Sequence, residues 1–234
     1  THDSAGNLLT PATIGCTLPE AFDHARPGEA IWFDDGRIGG VIEHVAAAQV
    51  HARITQDHAK PLKLRADKGI NLPGTELHIA ALTPKDIEDL PFIAAHADIV
   101  GLSFANSAAD VLALQQHLAD LGSRRPAIVL KVETRRGFEA LPEMLLAALR
   151  AAQCGVMIAR GDLAVECGFE RLAEVQEEIL WLCEAAHVPV VWATQVLETL
   201  AREGRPSRAE ISDAAMGLRA ECVMLNKGPY IVNA

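Results

Sequence analysis

Four side chains stand out by type and spacing. Lys131 and Glu133 lie two apart at the end of the apolar run Ile128–Leu130, so on a strand they point to the same face. Asp162 follows Val156–Ala159 by way of Arg160 and Gly161, and Thr194 follows Val190–Ala193 with Gln195 behind it. Asn226 and Lys227 follow Val223–Leu225 in the same way. Carboxylates that end neighbouring strands make a natural seat for a hard divalent cation, because Mg2+ takes one or two carboxylates and completes its shell with substrate oxygens and water. A lysine beside such an ion neutralises charge that develops on a phosphoryl or enolate oxygen. Gly161 lets backbone approach a ligand closely, and the N–H groups after it can hold a carboxylate. Each residue also has an ordinary reading. A Lys or Glu at a strand end is usually solvated, Asp162 suits a turn or helix cap, and Thr194 suits a satisfied strand-end hydroxyl. The set weighs more than its members, since all four end strands on the same side, where parallel α/β folds bind ligands. His187 precedes a buried strand without a partner His at metal spacing and reads as loop or surface. No Ser/His/Asp or Cys/His nucleophile arrangement is legible.

The elements that must place these residues recur at about the length of a βα unit. From Lys68 onward the apolar runs Ile99–Phe104, Ala127–Val132, Gly155–Ala159, Val188–Ala193 and Cys222–Leu225 read as strands. Their continuous apolar character predicts burial on both faces of a parallel sheet. Helix starts lie between them: Thr83-Pro84-Lys85-Asp86 offers an N-cap, a Pro at N1 and an acid at N3, and Ser107-x-x-Asp110 and Ser207-x-x-Glu210 resemble capping boxes. Arg171–His187 carries one apolar stripe at helical spacing. About five such units fit either an open doubly wound sheet or part of a barrel. No GxGxxG follows the first strand and no GxxxxGK[ST] occurs, which argues against a dinucleotide fold and a P-loop NTPase. The first 68 residues differ. Ala30–Asp34, Arg37–Val45, Gln49–Thr55 and Pro61–Arg65 read as short β segments, with Asp35-Gly36 and Pro27-Gly28 as turns. Residues 1–20 are polar and without period, and are expected to be poorly ordered.

The chain has 234 residues, 50% of them apolar and 22% charged, with 21 basic and 31 acidic side chains and a net charge of −10. This is a globular composition. The acidic balance argues against nucleic acid as a partner, which would recruit Lys and Arg, but leaves room for a small phosphate ligand. No apolar run approaches the roughly 20 residues that cross a bilayer, and no basic-then-apolar leader is seen at the start. The five Cys (16, 154, 167, 183 and 222) form no CxxC pair and read as reduced, mostly buried thiols of a cytoplasmic protein. Because the chain starts at Thr1, it is expected to be processed or cut from something longer.

Several of these segments resemble pyruvate kinase motifs in order and spacing. They are IWFDDGRI (31–38), KGINLPG (68–74), KDIEDLPF (85–92), LKVE (130–133), MIARGDLAVE (157–166), ATQVLETL (193–200) and RPSRAEISDAA (205–215). Matches run from about Pro27 to Leu225. The resemblance implies an α/β fold of TIM (β/α)8 type, here a partial barrel. Residues 1–68 would be a small all-β lid-like domain, and residues 69–234 barrel strands four to eight with their helices. It implies roles too: Glu133 and Asp162 as ligands of Mg2+ or Mn2+, and Lys131 as the cation at the transferring phosphoryl group and enolate. Gly161 and Asp162 would be the backbone donors to the substrate carboxylate, Thr194 its side-chain partner, and Ser212 a serine near the proton-delivery path. The implied reaction moves a phosphoryl group from phosphoenolpyruvate to ADP, giving ATP and an enolate that is protonated to pyruvate.

Departures from the family pattern shape the expectation further. The family's first three barrel strands, which carry the ligands of a monovalent cation such as K+, are absent, so the chain is expected to be a fragment or to be completed by another polypeptide; a homo-oligomer is the other expected assembly. The last strand should lead into Ser-Gly-Glu-Thr-Ala but reads Asn226-Lys-Gly-Pro-Tyr230. Glu177 stands where a lysine is usual, and Thr134 where an asparagine follows the LKVE motif. Two other readings compete with a phosphotransferase. One is a Mg2+-dependent lyase or aldolase acting on pyruvate or oxaloacetate, which needs no ADP. The other is a non-catalytic, metabolite-binding regulator, against which the retention of Lys131, Glu133, Asp162 and Thr194 argues.

Overall fold

The computed structural model describes residues 11–56, 62–122, 126–151 and 153–234. The expectation for residues 1–20 lies outside the described residues as far as residue 10. Residues 11–18 form no helix or strand, and Pro19–Phe22 makes one 3-10 turn.

An antiparallel sheet comes first. Strands β1 (Ala30–Phe33), β2 (Ile38–Ala46), β3 (Gln49–Ile54) and β4 (Ile70–Asn71) lie in the order β3-β2-β1-β4. Alternation along β1 buries Ile31 and Phe33 against Ile38, Ile42 and Leu72. Three consecutive left-handed residues, Asp34, Asp35 and Gly36, reverse the chain between β1 and β2. The last must be glycine for a second reason, since a Cβ there would sit 2.9 Å from Val165 of the following sheet's layer. One expectation needs correction. Of Pro61–Arg65, Pro61 lies outside the described residues and 62–65 form no strand. The fourth strand comes instead from Ile70–Asn71, paired with β1 through Trp32↔Asn71. Ile70 and Leu72 offer that edge apolar contact, whereas Lys63 and Arg65 keep their charged heads in water.

The second sheet is parallel. Strands β5 (Ile99–Leu102), β6 (Ala127–Val132), β7 (Cys154–Ala159), β8 (Val190–Val196) and β9 (Cys222–Leu225) are arranged in chain order. A doubly wound sheet reverses its strand order at a switch point, and this one does not. Helix α1 (Pro84–His96) precedes β5, and α2 (Ala108–Asp120) joins β5 to β6. The later connections are α3 (Arg135–Glu139) with α4 (Leu141–Ala148), α5 (Arg160–Cys167) with α6 (Leu172–Ala186), and α7 (Glu198–Glu203) with α8 (Arg208–Gly217). The sequence signals that start them are used as expected. Thr83 and Asp86 form a full capping box, as do Ser207 and Glu210, while Ser107 caps α2 and the Asp110 carboxylate takes the Asn106 N–H.

Burial corrects the expectation of strands covered on both faces. Ile128, Leu130 and Val132 are buried against helix residues such as Leu114, Met144 and Ile179, but the alternate residues Val129 and Lys131 are half-exposed. Helices pack on one face, and the other is the face from which Lys131 projects. The outer strands are barer still: all of β9 is exposed, and Ile99 of β5 is 62% exposed. The cysteine expectation also changes. All five are free, but only Cys167 and Cys183 are buried, because Cys16 lies in the irregular N-terminal segment and Cys222 opens the bare strand β9. Burial pushes the Cys183 thiol up to about 12. No helix among the described residues is long and apolar enough to cross a membrane.

Candidate active site

Lys131, Glu133 and Thr194 stand at the C-terminal ends of β6 and β8, Gly161 and Asp162 follow β7 in the first turn of α5, and β-ladder register sets these strand ends level. Val132 pairs with Ile158 and Ala159 with Ala193, so Glu133, Arg160 and Thr194 begin the same rim. On β6, the Lys131 ammonium lies 2.9 Å from Glu133 Oε1 and donates to Ser103 Oγ at 2.8 Å. Glu133 is nearly enclosed, with 5% of its side chain exposed, and its other oxygen accepts the Phe104 N–H at 2.6 Å. Phe104 presents that N–H from a left-handed conformation, φ 51°. Burying a carboxylate is costly unless such partners satisfy its oxygens. Thr134, next along, caps α3 by accepting from the Gly137 N–H at 2.9 Å and donates to Asn106 Oδ1.

Gly161 and Asp162 occupy the first turn of α5. Asp162 is inside the helix, whose N-cap is Ala159 with no side-chain cap bond, so the capping reading of Asp162 does not hold. Its Oδ1 accepts from Asn71 Nδ2 at 3.3 Å, and the same amide reaches Glu166 Oε1 at 3.4 Å. Asn71 is buried and belongs to β4, so one side chain ties the antiparallel sheet to α5. Burial raises the Glu166 carboxyl above its ordinary value, with the Asn71 bond opposing. Gly161 faces Thr194, and a Cβ on Gly161 would lie 2.9 Å from Thr194 Cγ2. Thr194 itself has φ 72°, Gln195 56° and Leu197 47°, values that L residues, and β-branched ones above all, avoid. Arg160 is buried beneath this stretch and donates to the Ala193 carbonyl at 2.8 Å, the Thr194 carbonyl at 2.6 Å and Asp213 Oδ1.

The structure therefore brings Lys131 to Glu133 and Gly161 to Thr194, on neighbouring strands. It does not bring Ser212 to them. That hydroxyl is exposed on α8 and donates back to the Arg208 carbonyl at 3.4 Å. Beside Gln195, a cleft of about 560 Å³ is lined by Asp34, Arg37, Lys68, Glu198 and Arg202 among others. Lys68 pairs with Asp34 at 2.7 Å and Arg202 with Glu198 at 2.7 Å, and the Lys68 bond holds the Asp34 carboxyl below its usual range.

The donors suit a divalent cation in kind but do not enclose one. Among the described residues no three His, Cys, Asp or Glu side chains cluster, and two carboxylates, Glu133 and Asp162, stand at the ends of adjacent strand–helix units. Two carboxylates are as many as Mg2+ commonly takes from a protein, the rest of its shell being substrate and water.

The pyruvate kinase barrel domain model matches residues 2–231. The chain belongs to the pyruvate kinase family. It is 35% identical over 216 residues to pyruvate kinase 2 of Candida glabrata, covering 89% of this chain and 41% of that protein. It is 36% identical over 214 residues to pyruvate kinase PKLR of Rattus norvegicus, covering 88% and 36%. Against the pyruvate kinase of Geobacillus stearothermophilus it is 33% identical over 234 residues, covering 97% and 39%. The chain thus spans about two fifths of the length of the curated relatives it matches.

Residue-by-residue reading of the strand ends passed over Asn71, Ser103, Glu166 and Asp213. Ser103 carried a signal of the same kind as Lys131, a polar residue ending an apolar run. Asn71, Glu166 and Asp213 sit inside the family-like segments, but their roles depend on contacts across 91, 95 and 53 residues of chain, which spacing does not reveal.

Proposed function

We propose that this chain supplies the phosphoryl- and enolate-handling side of a pyruvate kinase, which transfers a phosphoryl group between phosphoenolpyruvate and ADP. The observation that carries the reading is the Lys131–Glu133 pair, held at 2.9 Å on the rim shared with Gly161, Asp162 and Thr194. A Mg2+ or Mn2+ ion held by Glu133 and Asp162 would, when bound, neutralise charge on the phosphoryl and enolate oxygens. Lys131 sets its ammonium where the transferring phosphoryl group carries spread negative charge. The N–H groups of Gly161 and Asp162, free of intrahelical partners at the start of α5, hold the substrate carboxylate, and the Thr194 hydroxyl completes its hold. Fixing the carboxylate and the phosphoryl group together places the bridging oxygen in line with an incoming phosphate. After the P–O bond breaks and the new one forms on ADP, the enolate takes a proton at its methylene carbon to become pyruvate. Ser212, turned back on its own helix, is given no step.

A nucleotide's diphosphate entering the cleft beside Gln195 would have to draw Arg37, Lys68 and Arg202 away from the Asp34 and Glu198 carboxylates they pair with there. In this reading residues 1–68 form the lid-like unit, with β4 tying it to residues 69–234. The parallel sheet is one wall of a (β/α)8 barrel, strands four to eight, and the bare edges β5 and β9 are joined by strands of the longer protein, which would also carry the K+ ligands. Such a protein would work in the cytoplasm.

Exchange of the pyruvate methyl protons in D2O, followed by proton NMR with Mg2+ and the full chain, tests the proposal without the nucleotide. Metal-dependent exchange that Lys131→Met abolishes is expected. A folded chain that exchanges no faster than free Mg2+ does would overturn it, and exchange without ATP formation from phosphoenolpyruvate and ADP would favour the lyase.

A further inference from the structure

The end of β8 departs from its ladder. Trp192 pairs with Val223, but the next pair to β9 is Val196 with Leu225, so the stretch from Ala193 to Gln195 bulges out of register. Bulges re-aim side chains at sheet rims, and this one contains Thr194 and Gln195 in left-handed backbone. Such conformations persist only where the surroundings hold them. Backbone groups released from the ladder must find other partners, and here two side chains supply them. From the β7 side, Arg160 donates Nε to the Ala193 carbonyl at 2.8 Å and Nη2 to the Thr194 carbonyl at 2.6 Å. From the β9 side, Asn226 Oδ1 accepts the Gln195 N–H at 3.2 Å.

Arg160 is itself fixed by two further contacts. Asp213 of α8 accepts from its Nη1, its guanidinium lies 4.5 Å from the centroid of the Trp192 ring, and Gly217 of α8 backs that ring, so that a Cβ on Gly217 would come within 3.0 Å of it. The planar guanidinium serves three acceptors at once, which an ammonium cannot do in this geometry. Lys227 is exposed, and the segment after β9 folds onto α7, with the Tyr230 N–H donating to the Ala201 carbonyl at 2.9 Å.

We infer that Arg160 and Asn226 are positioning residues that clamp the bulge of β8 from its two sides and thereby set where Thr194 stands over Gly161. The inference rests on the proposed enolate site for its functional meaning. It gives the altered segment after β9 a positive role, since Asn226 fastens the turn that its neighbour strand strains.

The test separates the clamp from the site. Hydrogen exchange of the full chain, read by peptide mass spectrometry, reports on residues 193–197 without any ligand. Arg160→Met should speed exchange there by about tenfold or more, since native contacts no longer hold the strained turn, while β6 peptides keep their rate. Calorimetric titration of oxalate, an enolate mimic, with Mn2+ then reads function, and Arg160→Met should weaken binding about tenfold. Adding Gln195→Gly, which adopts positive φ without strain, should recover binding to within about threefold of the unaltered chain. An arginine that touched the ligand would show no such recovery, and that result would overturn the inference. Should Arg160→Met fail to fold, Asn226→Ala stands in, because its side chain is half-exposed. It should speed the same exchange and weaken oxalate by about threefold, and unchanged exchange over 193–197 would overturn the clamp. If the unaltered chain binds no oxalate, the proposed enolate site fails while the exchange result still decides the clamp.

Discussion

Replacing Gly161 with alanine sets two effects against each other at one atom. Gly161 lies in the first turn of α5, where alanine would gain about 0.5–1 kcal/mol in helix propensity. Its new methyl would lie 2.9 Å from Thr194 Cγ2, closer than carbon atoms approach, and forcing a methyl into a filled site costs about 1–3 kcal/mol. Thr194 has little freedom to yield, since Arg160 holds its carbonyl at 2.6 Å. The net expectation is a loss of about 1 kcal/mol, or roughly 2–4 °C in Tm for a chain of this size. Oxalate binding should fall more sharply, about tenfold, because the displaced groups are the ones proposed to grip the ligand's carboxylate. Thr194→Ser keeps the hydroxyl and removes the opposing methyl. In that background Gly161→Ala should become neutral or stabilising, with a coupling of about 1 kcal/mol between the two changes. Urea unfolding of the four proteins in the cycle measures it. A Gly161→Ala loss of the same size with and without the Thr194 methyl would refute the steric reasoning.

Three further outcomes are expected. Asn71→Ala removes the amide shared by Asp162 and Glu166 and should cost about 1–2 kcal/mol in urea unfolding; no loss would mean that β4 and α5 are held by packing alone. Thr134→Ala deletes the cap of α3 and should cost about 1 kcal/mol by the same assay. Asp86 is held below its ordinary 3.8, chiefly by the Thr83 hydroxyl and then by the Thr83 backbone N–H. On acidification the unfolded chain takes this proton first, so the bond's contribution is complete above 3.8 and is lost as pH falls through the folded value. Asp86→Asn should therefore lose less stability than the unaltered chain when pH is lowered from about 5 to about 3, and parallel pH profiles would contradict this.

Most of the elements were legible because each is announced by local physics. Five apolar runs gave the five parallel strands, and Thr83, Ser107 and Ser207 marked helix starts that the structure uses. What was not legible depended on contacts distant in sequence. The fourth strand of the first sheet went to Ile70–Asn71, only two residues long, because β1 offered those residues a partner. Strand burial is not legible, because an apolar run does not say whether one face or two will be covered. In the candidate site, Lys131, Glu133, Asp162 and Thr194 are legible as polar residues after apolar runs. Arg160 stood in the same position, but its task is to brace backbone on the next strand, and such a task leaves no pattern in the sequence around it. Asn226 read as a departure from the family, and its bond to Gln195 became visible only across the β8–β9 ladder.

The central claim is that the ends of β6, β7 and β8 form an enolate site that needs a divalent ion. Calorimetric titration of oxalate into the full chain, with and without Mn2+, tests it most directly, since every residue proposed to hold the ligand lies within this sequence. The account predicts binding that requires Mn2+ and is abolished by Asp162→Ala. A chain shown to be folded that binds no oxalate in the presence of Mn2+, or binds it equally after Asp162→Ala, would contradict the account.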